Sequence, residues 1–192
     1  MKKLLFTLSA LIILLIGCDK IDELTQFDLK YNQSLVIPSS TGVKLPFNIL
    51  TPDIESNSES TFSSNNTNKD LIEEIKLTKM ELTLSSPKNG DFGFLKSIEI
   101  FISAEGVPEQ RIAWNENIAN DIDKNLQLET TDTDLKEFIK KEKYKLRLNT
   151  VTDEVITSDH HIEVKSVFFV DYERIFQSVS NRVLPRPLEI FC

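Results

Sequence analysis

The chain has 192 residues, 40% of them hydrophobic and 27% charged, with a formal net charge of −8. That length supports one domain with a real core and is short for two. The negative charge argues against holding nucleic acid or anionic headgroups electrostatically.

Lys2 and Lys3 form a basic start, followed by an apolar run from Leu4 to Ile16. As a helix that run rises about 20 Å, short of a ~30 Å hydrocarbon core. It has the proportions of a signal helix for export rather than of a permanent span. It ends in Leu15-Ile16-Gly17-Cys18, and no Ala-x-Ala site stands nearby. These four residues resemble the lipobox of a bacterial lipoprotein signal peptide at each position. The resemblance implies a diacylglyceryl thioether on the Cys18 sulfur and cleavage between Gly17 and Cys18, usually with acylation of the new amine. Two or three acyl chains, at ~0.8 kcal/mol per buried CH₂, make such an anchor long-lived. With residues 1–17 removed, about 175 residues remain at a charge near −10. Cys192 then has no intramolecular disulfide partner and is expected as a free thiol.

Asp19 beside the cysteine resembles an inner-membrane retention signal of enterobacteria. Asp19, Asp22 and Glu23 together resemble the acidic surface-export signal of Bacteroidota lipoproteins. Residues 18–26 are polar and form a tether.

The domain is expected over 27–175. Phe27, Leu29 and Tyr31 alternate with polar residues, as do Val43, Leu45, Phe47 and Ile49, which is the period of half-buried strands. Pro46 marks the second as an edge or first strand. Residues 53–69 are Ser, Asn, Glu and Thr with few large apolar side chains, and are expected as a mobile loop. Ile75 and Leu77 then share one parity while Met80, Leu82 and Leu84 share the other, so a β-bulge is expected near Thr78-Lys79. Ser85 to Gly90 is a turn. Ile98, Ile100, Ile102 and Ala104 form the next inward face, closed by Gly106 and Pro108. Gln110–Trp114 follows as a strand with Ile112 and Trp114 inward, and Leu126 and Leu128 mark a short one. One helix is expected, where Thr131 to Thr133 offer N-cap oxygens, Asp134 suits the first turn, and Leu135, Phe138 and Ile139 follow at helical spacing. Tyr144, Leu146 and Leu148 alternate, as do Ile162, Val164, Phe168 and Val170. A tail, 176–192, carries Pro185 and Pro187.

Roughly eight strands at short spacing, one short helix and no βαβ rhythm indicate a mainly β protein. The expected architecture is an antiparallel, immunoglobulin-like β-sandwich in the loose sense, without the Cys-Trp-Cys signature.

Chemistry is sparse. Asp121, Asp123 and Asn125 alternate as calcium ligands do, and Gln127, Glu129 and Asp132 extend the series. An EF-hand loop needs glycine where Leu126 stands, so a polar loop running into a strand is the favoured reading. His160 and His161 point to opposite faces of a strand and make a poor chelate. No Gly-x-Ser-x-Gly turn or glycine-rich phosphate loop occurs. Among aromatic platforms for a sugar, Tyr31, Tyr144 and Trp114 fall on inward parities and Tyr172 is the least committed.

Lipobox, acidic tether and one β-sandwich together resemble the small lipoproteins of Bacteroidota. The resemblance implies a cell-envelope protein anchored through lipid on Cys18. The outer membrane, on its periplasmic or surface side, is expected over the inner. The expected function is non-catalytic, a binding or structural module for an envelope protein or a glycan, with no cofactor and no nucleic acid. The alternative is a calcium-dependent hydrolase or calcium-stabilised adhesin using Asp121 to Asp132.

Overall fold

The computed structural model describes residues 25–39, 46–152 and 154–173. Gly17, Cys18, Cys192, the 1–17 signal segment and the 176–192 tail lie outside the described residues. So do Val43 and Leu45.

In chain order the strands are β1 (Gln26–Ile37), β2 (Pro46–Leu50), β3 (Ile54–Glu55), β4 (Ile72–Ser86) and β5 (Leu95–Ala104). They continue as β6 (Val107–Asn115), β7 (Asn125–Gln127), β8 (Glu129–Thr130), β9 (Lys143–Thr152) and β10 (His160–Tyr172). Two short helices, α1 (Ser58–Ser64) and α2 (Lys136–Ile139), interrupt them. The pairings are antiparallel throughout. One sheet runs β1-β10-β4-β7 and the other β2-β9-β5-β6-β8, with β3 added on β9.

The molecule is thus an antiparallel β-sandwich. Setting aside the two-residue strands β3 and β8, the first, last, third and sixth strands share one sheet. The second, seventh, fourth and fifth share the other. That alternation between sheets is the strand order of a jelly roll, a sandwich made of two Greek keys. The immunoglobulin likeness therefore holds only for the two packed antiparallel sheets, and the connectivity is a different one.

The core follows from period-two alternation. Ile98, Ile100 and Ile102 of β5, Leu146 and Leu148 of β9, and Ile162, Val164, Phe168 and Val170 of β10 are all buried. The parity break in β4 is a bulge: Val167 pairs with Lys79 but Phe168 pairs with Leu77, which leaves Thr78 unpaired. Its hydroxyl donates to the Val167 carbonyl at 3.1 Å. With one extra residue there, Ile75, Leu77, Met80, Leu82 and Leu84 all face inward. Pro46 begins β2, which is an edge strand as proline there requires. Gly106, with φ +72°, turns β5 into β6. Pro108 does not close the preceding strand. It lies inside β6, where Pro108 and Glu109 together stand opposite Ser103.

Residues 53–69 correct the expectation of a loop. They hold β3 and α1, and Phe62 is fully buried. The ring of Phe62 meets Phe27 edge-on at 6.1 Å. Buried Ser56 donates to the Lys141 carbonyl, the Ser56 carbonyl accepts from the Tyr31 hydroxyl at 2.6 Å, and the Asn65 carbonyl accepts from Tyr172 at 3.2 Å. The order comes from partners far away in sequence, which composition does not reveal. Tyr172 is accordingly buried rather than uncommitted. Helix α2 lies in the expected segment, with Leu135, Phe138 and Ile139 buried, but begins only at Lys136, so Thr131 to Thr133 do not cap it. Asp134, just before the N-cap Leu135, accepts from Lys136 N, and the same oxygen accepts from Ile75 N, both at 3.0 Å, pinning the helix start to β4.

Candidate functional site

A second bulge decides what the outer face of the larger sheet displays. Ile100 pairs with Ala113 and Phe101 with Arg111, so Ile112 is the extra residue. Ile112 and Ala113 are both buried, and Trp114 turns outward. The expectation of an inward Trp114 is therefore wrong: the bulge shifts parity by one.

Trp114 then joins a row across five strands. Asn48 of β2 pairs with Asn149 of β9, Asn149 with Glu99 of β5, Glu99 with Trp114 of β6, and Trp114 with Glu129 of β8. The next row is Leu50, Arg147, Phe101 and Arg111. Leu50 is 64% exposed, unusual for a large apolar side chain on a polar face.

The two rows are interlocked. The Arg111 guanidinium lies 4.3 Å over the indole of Trp114, and that of Arg147 4.1 Å over the ring of Phe101. Arg111 donates to Glu99 at 2.7 Å and to Glu116 at 3.3 Å. Asn149 donates to the other Glu99 oxygen at 3.0 Å. Arg147 grips both oxygens of Glu109, at 2.8 and 2.6 Å, and donates to Asn48 at 2.7 Å. The indole N–H donates to Glu129 at 3.0 Å. Forked, charge-assisted bonds of this kind hold planar groups in fixed orientation. They also set the ionisation. The hydrogen bond from Arg111, aided by Asn149, keeps Glu99 below the usual carboxylate range, and that from Arg147 does the same to Glu109. Neither glutamate is suited to give up a proton near neutral pH, as a general acid must.

The other candidates are dispersed. Asp121 and Asp123 are exposed, and Asp123 accepts from the backbone N–H of Lys124. Asn125 begins β7 and accepts from Thr83 at 3.0 Å, while Leu126 is buried within β7 and Leu128 is buried between β7 and β8. Among the described residues no three of His, Cys, Asp and Glu are grouped as metal ligands would be. His160 is buried, 4.4 Å from the ring of Phe94, with its Nδ1 2.8 Å from the Ser158 carbonyl, whereas His161 is exposed. Tyr31 and Tyr144 pack edge-on at 5.7 Å, and burial pushes both hydroxyls upward in pKa. A cleft of about 550 Å³ at one end is lined by Asp53, Glu105, Lys141, Lys143 and Lys145 among others. Two of its lysines are already paired, Lys143 with Glu55 and Lys145 with Asp53.

No family model matches the sequence, and no curated protein does. Among solved structures, a chain of turnip yellow mosaic virus is 8% identical, with 81% of this chain and 100% of that one covered at a TM-score of 0.28. A chain of desmodium yellow mottle tymovirus is 10% identical, with 80% and 86% covered at a TM-score of 0.26. A likeness this loose carries nothing about function.

Proposed function

We propose that this protein is a non-catalytic, lipid-anchored module of the cell envelope that holds a partner protein on the outer face of its six-stranded sheet. The observation that carries this reading is the pair of rows around Trp114. Tryptophan and arginine dominate the energetics of protein interfaces, because each offers a large rigid contact area with polar edges. Here Trp114, Arg111, Phe101 and Arg147 are pre-oriented by one another, so little side-chain entropy remains to be lost on docking. Exposed Leu50 extends the apolar area. The lipobox at Cys18 supports a body held beside a membrane. A glycan is the second reading, favoured by the amides of Asn48 and Asn149 and the Glu99 carboxylate beside an indole, groups that suit sugar hydroxyls.

A photo-crosslinking residue at Leu50 in intact cells tests the first reading. It is expected to capture one discrete protein, lost when Trp114→Ala and Arg111→Ala are added. Capture of no protein, alongside glycan-array binding that depends on Trp114, would favour the second. Cys18→Ser is expected to leave an uncleaved precursor that takes up no palmitate analogue, and normal labelling would overturn the anchor.

A further inference from the structure

Among the described residues, the four-stranded sheet ends at β1 with no strand paired along its outer side. A sheet edge presents unpaired N–H and C=O groups, and proteins blunt it with short strands, prolines, bulges or charged side chains. Three edges here follow that rule. Strand β7 has 3 residues, β8 has 2, and the 5-residue β2 begins with Pro46. Strand β1 has only the charged Asp28 and Lys30. It runs 12 residues without proline, glycine or bulge, in unbroken register with β10 from Gln26↔Asp171 to Ile37↔His160. Along its other side no backbone bond is made from 26–37 among the described residues.

The sequence along that edge is complementary to itself. In Gln26-Phe27-Asp28-Leu29-Lys30-Tyr31-Asn32, an antiparallel copy centred on Leu29 sets Asp28 against Lys30 twice. It also sets Phe27 against Tyr31, Gln26 against Asn32 and Leu29 against itself. Apolar side chains meet apolar ones on the core side, and opposite charges meet on the solvent side. Asp28 and Lys30 are exposed, neither makes an ion pair among the described residues, and their β10 neighbours are uncharged Phe169 and Val167. Opposite charges directly across an antiparallel pair are favourable and like charges are not. We infer that β1 pairs with β1 of a second copy in this register, joining two four-stranded sheets into one of eight across a two-fold axis.

The test uses the full chain in mild detergent, sized by sedimentation over a concentration series. Lys30→Asp turns both charge pairs repulsive and is expected to weaken the dimer about tenfold or more. Asp28→Lys does the same, and the double swap Asp28→Lys with Lys30→Asp restores it. All of these side chains are exposed, so the fold is retained, as circular dichroism checks. Register is read by mixing Asp28→Cys chains with Lys30→Cys chains. The mixed disulfide is expected to predominate, because like positions lie roughly 8 Å apart, too far to bridge. A monomer at every concentration overturns the inference and leaves the edge to a strand from another protein. A dimer indifferent to the single swaps, or one that favours like-with-like disulfides, overturns it equally.

Discussion

The two outer faces of the sandwich are built on the same backbone and use charge differently. On the four-stranded sheet the ion pairs run along a strand, Lys76 with Glu74 at 2.9 Å and Lys79 with Glu81 at 2.8 Å. Lysine is a point charge on a flexible stem, so these pairs fix nothing beyond their own strand. On the six-stranded sheet arginines reach across strands. Arg147 of β9 holds Glu109 of β6, and Arg111 of β6 holds Glu99 of β5. Each also covers an aromatic ring. The first face carries isolated ion pairs, and the second is an ordered layer of interlocked arginines, carboxylates and rings. The lesson is that residue choice at paired positions, rather than net charge, separates a bland face from a structured one.

The bulge at Ile112 creates the contrast, and deleting that fully buried residue has the largest expected cost in stability. The deletion returns the strand to regular alternation with Arg111, Ala113 and Trp114 still opposite Phe101, Ile100 and Glu99, so the outward row keeps its register while the buried Ile112 side chain is lost. A loss of roughly 3 kcal/mol or more is expected in urea unfolding. Trp114 is the only tryptophan, so its emission should stay close to that of the unsubstituted protein, and a blue shift would show that the strand had slipped register instead.

Arg147→Ala is next. It removes the fork to Glu109, the bond to Asn48 and the cover on Phe101, at about 1–2 kcal/mol, a figure reduced because Glu109 stays open to solvent. Arg147→Lys keeps the charge without the fork and should recover less than half of that loss. Full recovery would show that charge alone matters on this face.

Acid offers a gentler probe. Glu99 and Glu109 have folded pKa values below the ordinary one, so their contribution is complete above about pH 4.3 and fades as pH falls through the lowered values. The double variant Arg111→Ala with Arg147→Ala should therefore lose less stability than the unsubstituted protein between pH ~4.5 and 3, relative to each protein's value at pH 7. The smallest effect is expected on the other face. Lys79→Ala should stay within about 0.5 kcal/mol and vanish in salt, since both members of its pair are solvent-accessible.

Much of this architecture was legible in the chain. Alternation marked the inward faces of β4, β5, β9 and β10, Pro46 marked an edge, and apolar residues at helical spacing after Asp134 marked α2. The bulge at Thr78 was legible too, because five large apolar residues change parity around it and a core tolerates no other solution. The bulge at Ile112 was not. Only Ala113 follows it on the inward side, and the large Trp114 mimics a core residue. Residues 53–69 were hidden for another reason: the hydroxyls and carbonyls that order them are satisfied by Tyr31, Lys141 and Tyr172, up to 107 positions away.

By itself the sequence determined the acidic balance and the mainly β, two-faced strands, since each depends on composition or on a period of two. Tertiary structure alone decided the jelly-roll strand order, the burial of Phe62 and Tyr172, and the outward turn of Trp114. Those depend on which strand lies beside which, and a one-residue change of register there exchanges the core for the surface.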